Sequence, residues 1–218
     1  MRLSTLSLLA SAAMGAAADS APICAAPPGI VPVLPEGLCY TTVVPTNPSG
    51  VSIRQYGTPT NASLVSAPGG GAYLQGVPAS IANALNYFSG QNDEQRNILS
   101  SRIVPFAITP RGNSFTAHIG ISPEQFPDDF LIPRPIQPGV TVTRVSANLG
   151  LIAAFAFNTT GLPYLENWQE ACGAIQNSTL PAGYAVNATD PFSPTYVFYN
   201  GMSATNFTSE CWVAVFKV

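Results

Sequence analysis

The sequence predicts an α+β fold, strand-rich with two covering helices, and three observations lead to it. Short runs of alternating apolar and polar residues, bounded by proline and glycine, recur along most of the 218 residues, which is strand spacing. Two segments alone repeat their apolar residues at helical spacing. The pieces then follow in the order strands–helix–strands, twice over. A sheet must cover its apolar face, and these two helices are the available covers.

Ahead of the fold, Met1–Ala18 carries one arginine, a short apolar run and then small residues, the pattern of a secretory signal peptide cleaved after Ala18. Residues 19–39 form a Pro-rich arm, and a single domain is expected over 40–218. Tyr40–Val44 and Val51–Tyr56 read as strands joined by the turn Pro45–Gly50. Asn61–Ala67 is a third strand, followed by Gly69-Gly70-Gly71 as a loose loop; without a following Lys-Ser/Thr it is no phosphate loop. The first helix is placed over Val77–Asn92. Val77, Ile81, Leu85 and Phe88 line one face, with Ser80, Asn83 and Asn86 on the other. Pro78 suits the first helical position and Gly90 the left-handed stop.

Val104–Thr109 and Ser114–Ser122 then make a hairpin around Pro110–Asn113. In its second strand Phe115, Ala117, Ile119 and Ile121 face one way, and Thr116, His118 and Ser122 the other. Pro123–Gly139 is a Pro-rich connection holding Phe126, Phe130, Leu131 and Ile132, too apolar to be a free linker. Val140–Val145 and Leu149–Phe157 are strands, the second so apolar that both its faces must be covered. Tyr164, Leu165, Trp168, Ala171, Cys172 and Ile175 mark the second helix, with Pro163 near its start. Gly183–Val186 follows, and Thr195–Tyr199 and Cys211–Val218 close the chain as strands.

Hydrophobic residues make up 46% and charged residues only 9%, against the quarter or so usual in soluble domains. Serine, threonine, asparagine or attached sugar must therefore keep the surface in water. Eight Lys and Arg residues and a net charge of −3 build no basic patch, which excludes nucleic acid and anionic membrane surfaces as partners. No segment has the ~20 apolar residues of a spanning helix, so no membrane insertion is expected. Sequons at Asn61, Asn158, Asn177, Asn187 and Asn206 agree with export as a secreted glycoprotein. The four cysteines fit an oxidising compartment and allow three pairings. Cys24–Cys39, clipping the arm to the first strand, and Cys172–Cys211, tying the second helix to the last strand, are the pairings expected.

Candidates for chemistry are few. His118 is the single imidazole, and its place opposite the apolar set reads as half-exposed. Asp93-Glu94 and Asp128-Asp129 are neighbours on loops, which solvate separately and do not form a general acid and base. No G-x-S-x-G elbow is present, and the cysteine spacings do not match a zinc site. The chain reads as non-catalytic. Ile81, Leu85 and Phe88 offer an apolar helix surface for a flat ligand, held by burial at about 25 cal/mol per Å².

Five segments in order resemble the SOUL/haem-binding protein family. V-S-I-R-Q-Y (Val51–Tyr56) is similar to its Y-E-I-R-x-Y strand, and L-N-Y-F-S-G-Q-N (Leu85–Asn92) to L-x-x-Y-I-x-G-x-N. I-P-R-P-I-Q-P-G-V-T-V (Ile132–Val142) resembles P-P-x-P-x-x-x-x-V-x-I, and Phe157 ends a strand like V-x-x-F-x-G. D-P-F (Asp190–Phe192) with S-E-C-W-V (Ser209–Val213) resembles Y-x-x-P-F…N-E-V-W. The resemblance implies a distorted, twisted β-barrel of two pseudo-symmetric halves, flanked by two helices; the apolar Pro123–Gly139 connection is expected to pack across its mouth. It further implies non-covalent binding of haem or another tetrapyrrole in a hydrophobic groove beside the first helix. The groove would draw Ile81, Leu85 and Phe88 together with Phe192, Tyr196 and Tyr199, and His118 is the candidate axial ligand. Where the family has M-T-x-P-V this chain has Ser100–Val104, and no basic residue stands on the first helix to pair with propionates. A structural or interaction glycoprotein that kept the fold without the ligand, or a carrier of another hydrophobic small molecule, are the alternatives.

Overall fold

A computed structural model describes residues 40–57, 63–101, 106–122, 124–126, 131–144, 148–178, 180–190, 192–199 and 206–218. The signal segment, the arm, the Cys24–Cys39 pair, Asn61, Asp128-Asp129 and Phe130 lie outside them. Ten strands and two helices follow one another as β1 (Tyr40–Val44), β2 (Val51–Gly57), β3 (Ser63–Gly70), α1 (Tyr73–Phe88), β4 (Phe106–Arg111), β5 (Ser114–Ile121), β6 (Thr141–Arg144), β7 (Asn148–Thr160), α2 (Leu165–Asn177), β8 (Tyr184–Val186), β9 (Thr195–Phe198) and β10 (Asn206–Lys217). The class is α+β, with antiparallel pairing throughout.

All strands join one sheet in the order β1-β2-β7-β10-β9-β4-β5-β3-β6, with β8 added to the end of β10. Apart from the extra edge strand β1, the order is symmetric about the β9–β4 pair. β2, β3, α1, β4 and β5 of the first half match β6, β7, α2, β9 and β10 of the second, and each half lends its first strand to the other's edge. The expected barrel does not close: among the described residues β1 and β6 remain the two edges of an open sheet. Closure requires edge strands that can match in length and register. Here β6 has four residues, mostly exposed, and β1 has five, with its register broken between Thr42 and Val44.

Directly paired residues point to the same side of a sheet, so the register sorts the side chains into two faces. One face carries Val51, Ile53, Val65, Ala67, Ile108, Phe115, Ala117, Ala153, Tyr196, Phe198, Cys211 and Val213, and both helices cover it to make the main core. The other carries Ser52, Arg54, Tyr56, Ile152, Ala154, Val197, Glu210 and Trp212. It is buried too, under its own large side chains: the Tyr56 and Trp212 rings meet at 4.6 Å across β7, which separates their strands. Both faces of β7 are buried over Ile152–Ala154, as the apolar run requires there, whereas Ala156 is exposed.

The helices depart from expectation in one place. α1 begins at Tyr73, four residues before Val77, so Pro78 lies inside it. Pro78 faces outward, where the loss of one backbone donor costs least. Gly69 and Gly70 belong to β3 and do not form a loop, because the helix needs them there. A Cβ on Gly69 would stand 2.1 Å from the Gly76 carbonyl oxygen, so bare backbone lets α1 sit directly on the strand. Gly90 takes φ 101° and ends the helix as expected. α2 buries Trp168, Ala171, Cys172 and Ile175, and Cys172 is bonded to Cys211 of β10. The Trp168 Nε1 donates to the Tyr73 hydroxyl at 2.8 Å, which donates onward to the Pro163 carbonyl, joining the two helices above the sheet.

Candidate functional site

The outer face of α1 carries a cluster of exposed apolar residues. At 100° per residue, Leu74, Leu85, Pro78 and Ala82 fall within one sector of about 80°. All four are exposed, Leu74 at 75% and Leu85 at 49%. The helix contains no charged residue. Ile81 and Phe88 lie at the rim of this sector with their side chains turned into the core, so apolar surface runs unbroken from interior to exterior. Its counterpart α2 occupies the symmetric position, yet exposes Glu166, Gln169, Glu170, Gln176 and Asn177. The fold itself therefore does not demand an apolar outer surface on a covering helix.

The six residues expected to line one groove are divided by the sheet. Ile81, Phe88 and Tyr196 belong to the helix-covered core, where the Tyr196 ring stacks on Trp168 at 4.6 Å and 11°. Tyr199 lies on the opposite face and donates to Glu210 Oε2 at 2.7 Å. Phe192 is exposed beside His118, with ring centroids 5.4 Å apart. Leu85 alone points into solvent from α1.

His118 is buried, 6% exposed, and not half-exposed. On the face opposite the apolar set His118 is enclosed by Ser66, Thr109 and Phe192, which strand alternation alone does not reveal. Its Nδ1 lies 2.8 Å from Ser66 Oγ and its Nε2 3.0 Å from Thr109 Oγ1. Both ring nitrogens are occupied by hydroxyls. Burial, with the Arg111 charge adding to it, lowers its pKa to about 4, so the ring is neutral at physiological pH.

A second cluster was not foreseen from the sequence. On the same face, Arg54 Nη1 donates to both oxygens of Glu210, at 2.9 and 3.0 Å, and to the Tyr56 hydroxyl at 3.0 Å. Arg54 Nε donates to Ser52 Oγ, and its guanidinium lies over the Tyr40 ring at 4.8 Å. Glu210 Oε2 also accepts from Tyr199 and from Trp212 Nε1, both at 2.7 Å. Glu210 is fully buried. Burial is the largest single influence on Arg54 and favours its neutral form, but Glu210 together with Tyr56 and Tyr199 outweighs it and keeps the guanidinium charged. The signal available was a lone charge in each of two otherwise apolar strands, V-S-I-R-Q-Y and S-E-C-W-V, which in a buried strand calls for a partner.

The segments that carried the family resemblance meet pairwise in space. Arg54 and Tyr56 of the first join Glu210 and Trp212 of the last. Tyr87, from L-N-Y-F-S-G-Q-N, donates to the Pro133 carbonyl of the Pro-rich segment at 2.7 Å, and Asn92 bridges to Pro135. Comparison with protein-family models and with curated proteins returns no match to this chain. Among the described residues no three His, Cys, Asp or Glu side chains gather as a metal site, and no helix is long and apolar enough to cross a membrane.

Proposed function

We propose that this is a non-catalytic binding protein for a flat hydrophobic ligand, which it takes against the outer face of α1. The ligand class is haem or a related tetrapyrrole, and the protein works outside the cell. The observation that carries the reading is the exposed, uncharged sector of Leu74, Pro78, Ala82 and Leu85, absent from the equivalent helix. A tetrapyrrole presents a wide apolar face, and burying it needs no axial bond. The ring nitrogens of His118 stay with Ser66 and Thr109, so the iron would remain without a histidine ligand and propionates would stay in solvent. The pairwise meeting of the resemblance segments and the symmetric strand order support a SOUL-type fold, and the Cys172–Cys211 bond supports export. Titration of the protein with haemin, followed at the Soret band, is expected to saturate at micromolar concentrations. A strictly linear response overturns the reading.

A second reading, an extracellular interaction glycoprotein without a ligand, is favoured by the engagement of Ile81, Phe88 and Tyr196 in the core. Under it the sector on α1 binds another protein, and haemin produces no saturable change.

A further inference from the structure

The two sequons Asn158-Thr159-Thr160 and Asn206-Phe207-Thr208 lie 48 positions apart in the sequence by subtraction of their numbers, yet fold onto each other. In the β7–β10 register Asn158 stands opposite Thr208, and Asn206 opposite Thr160. Each acceptor asparagine thus faces the hydroxyl residue of the other's sequon. The two asparagines are diagonal neighbours on one face, at the ~7 Å typical of such pairs, and both are exposed.

The place they occupy gives this arrangement a role. β2 pairs with β7 only as far as Phe155, opposite Val51, whereas β10 continues along β7 to Thr160. Beyond Phe155, Ala156–Thr160 is therefore the outer strand of a projecting ribbon, with no strand outside it among the described residues. An extended edge of this kind templates pairing with another chain, and proteins usually blunt it with charge, proline or a bulge. Ala156–Thr160 has no charged residue and no proline, and its register with β10 runs without a shift. The outward residues of the ribbon are Ala156, Asn158, Thr160, Asn206 and Thr208, which leaves asparagine as the group able to carry bulk.

We propose that Asn158 and Asn206 are both N-glycosylated and that the paired sugars shield this ribbon from edge-to-edge association. The transfer forms a bond between each side-chain amide nitrogen and the anomeric carbon of an oligosaccharide. It breaks that carbon's bond to a polyprenyl pyrophosphate donor, which leaves, and the amide gives up one proton. The inference rests on the export part of the proposed function and is independent of the ligand.

The test is expression of the full chain in a eukaryotic secretory host, once behind its own first residues and once behind a heterologous leader. Glycopeptide mapping is expected to find sugar on Asn158 and on Asn206. Sugar with the heterologous leader alone retains the paired site and overturns export by the native leader; its absence from either asparagine under both leaders overturns the site. The shielding role is read from Thr160→Ala with Thr208→Ala, which removes both sequons and leaves the asparagines in place. This variant is expected to elute as larger species where the unaltered protein does not, while Asn158→Gln with Asn206→Gln gives the same shift. Unchanged elution of both variants refutes the shielding role.

Discussion

Replacing Glu210 by glutamine removes one charge and almost no volume from a buried polar cluster. Glu210 receives Arg54 Nη1 on both oxygens, and Tyr199 and Trp212 on Oε2. A glutamine must place its carbonyl where Oε2 stood to keep the tyrosine and tryptophan bonds. Its amide group then points N–H at the guanidinium, donor against donor. Arg54, with a side chain only 8% exposed, is left as a buried cation without a counter-charge. Breaking a buried pair in this way costs about 3–5 kcal/mol, a large part of the roughly 5–15 kcal/mol that holds a domain together. Urea unfolding of Glu210→Gln should show a lowered midpoint with an unchanged slope. Arg54→Met combined with Glu210→Gln should recover most of the loss, since the glutamine carbonyl still accepts from Tyr199 and Trp212 and no buried charge is left unpaired. A Glu210→Gln loss below about 1 kcal/mol, or a double variant no more stable than the single one, would refute the argument.

The remaining predictions concern stability at three other points. His118 titrates near 6.5 when unfolded and at about 4 when folded, so its neutral form stabilises the fold at neutral pH. That contribution falls as pH drops through 6.5 and is gone by about 4, a loss of about 3 kcal/mol. The difference in unfolding midpoint between wild type and His118→Asn, followed from pH 7 to 4, should narrow over that window, and a flat difference would contradict the assignment. Replacing Cys172 and Cys211 together by alanine opens a loop of 39 residues, worth about 4 kcal/mol in chain entropy; denaturant unfolding under non-reducing conditions measures it. At Gly69 an alanine Cβ would stand 2.1 Å from one backbone atom of α1 and 2.3 Å from another. Neither can rotate away, so Gly69→Ala should cost about 3 kcal/mol and lower the thermal midpoint by roughly 6–12 °C, while an unchanged midpoint would mean that the helix can lift off β3.

Periodicity located nearly every element, because a two-residue or 3.6-residue repeat is written into neighbouring side chains. Trp168, Ala171, Cys172 and Ile175 face the core as the helical spacing requires, and the apolar run of β7 is covered on both sides over Ile152–Ala154 but not at Ala156. Features set by the meeting of distant segments were not legible in this way. The start of α1 depends on Gly69 lying against Gly76, a contact no local pattern records. His118 stands on the polar side of its strand and is buried among Ser66, Thr109 and Phe192, which come from other segments. Closure of the barrel was carried by resemblance and not by residues, and the short edges β1 and β6 leave the sheet open. The candidate lining was drawn from apolar character, which marks core and surface sites alike, and for Phe192, Tyr196 and Tyr199 from the resemblance. Leu85 is the one member of that set that points outward from the helix, and Arg54 with Glu210 escaped notice because each looked isolated in its own strand.

Glutamate introduced at symmetric positions of the two helices tests the proposed ligand face most directly. Leu85→Glu places a charge in the exposed sector of α1, and Gln176→Glu places one at the corresponding angle on α2. Haemin titrations of both, read at the Soret band beside the unaltered protein, should show affinity lost by at least tenfold in Leu85→Glu and unchanged in Gln176→Glu. Equal affinities in all three proteins would place any ligand elsewhere and contradict the account.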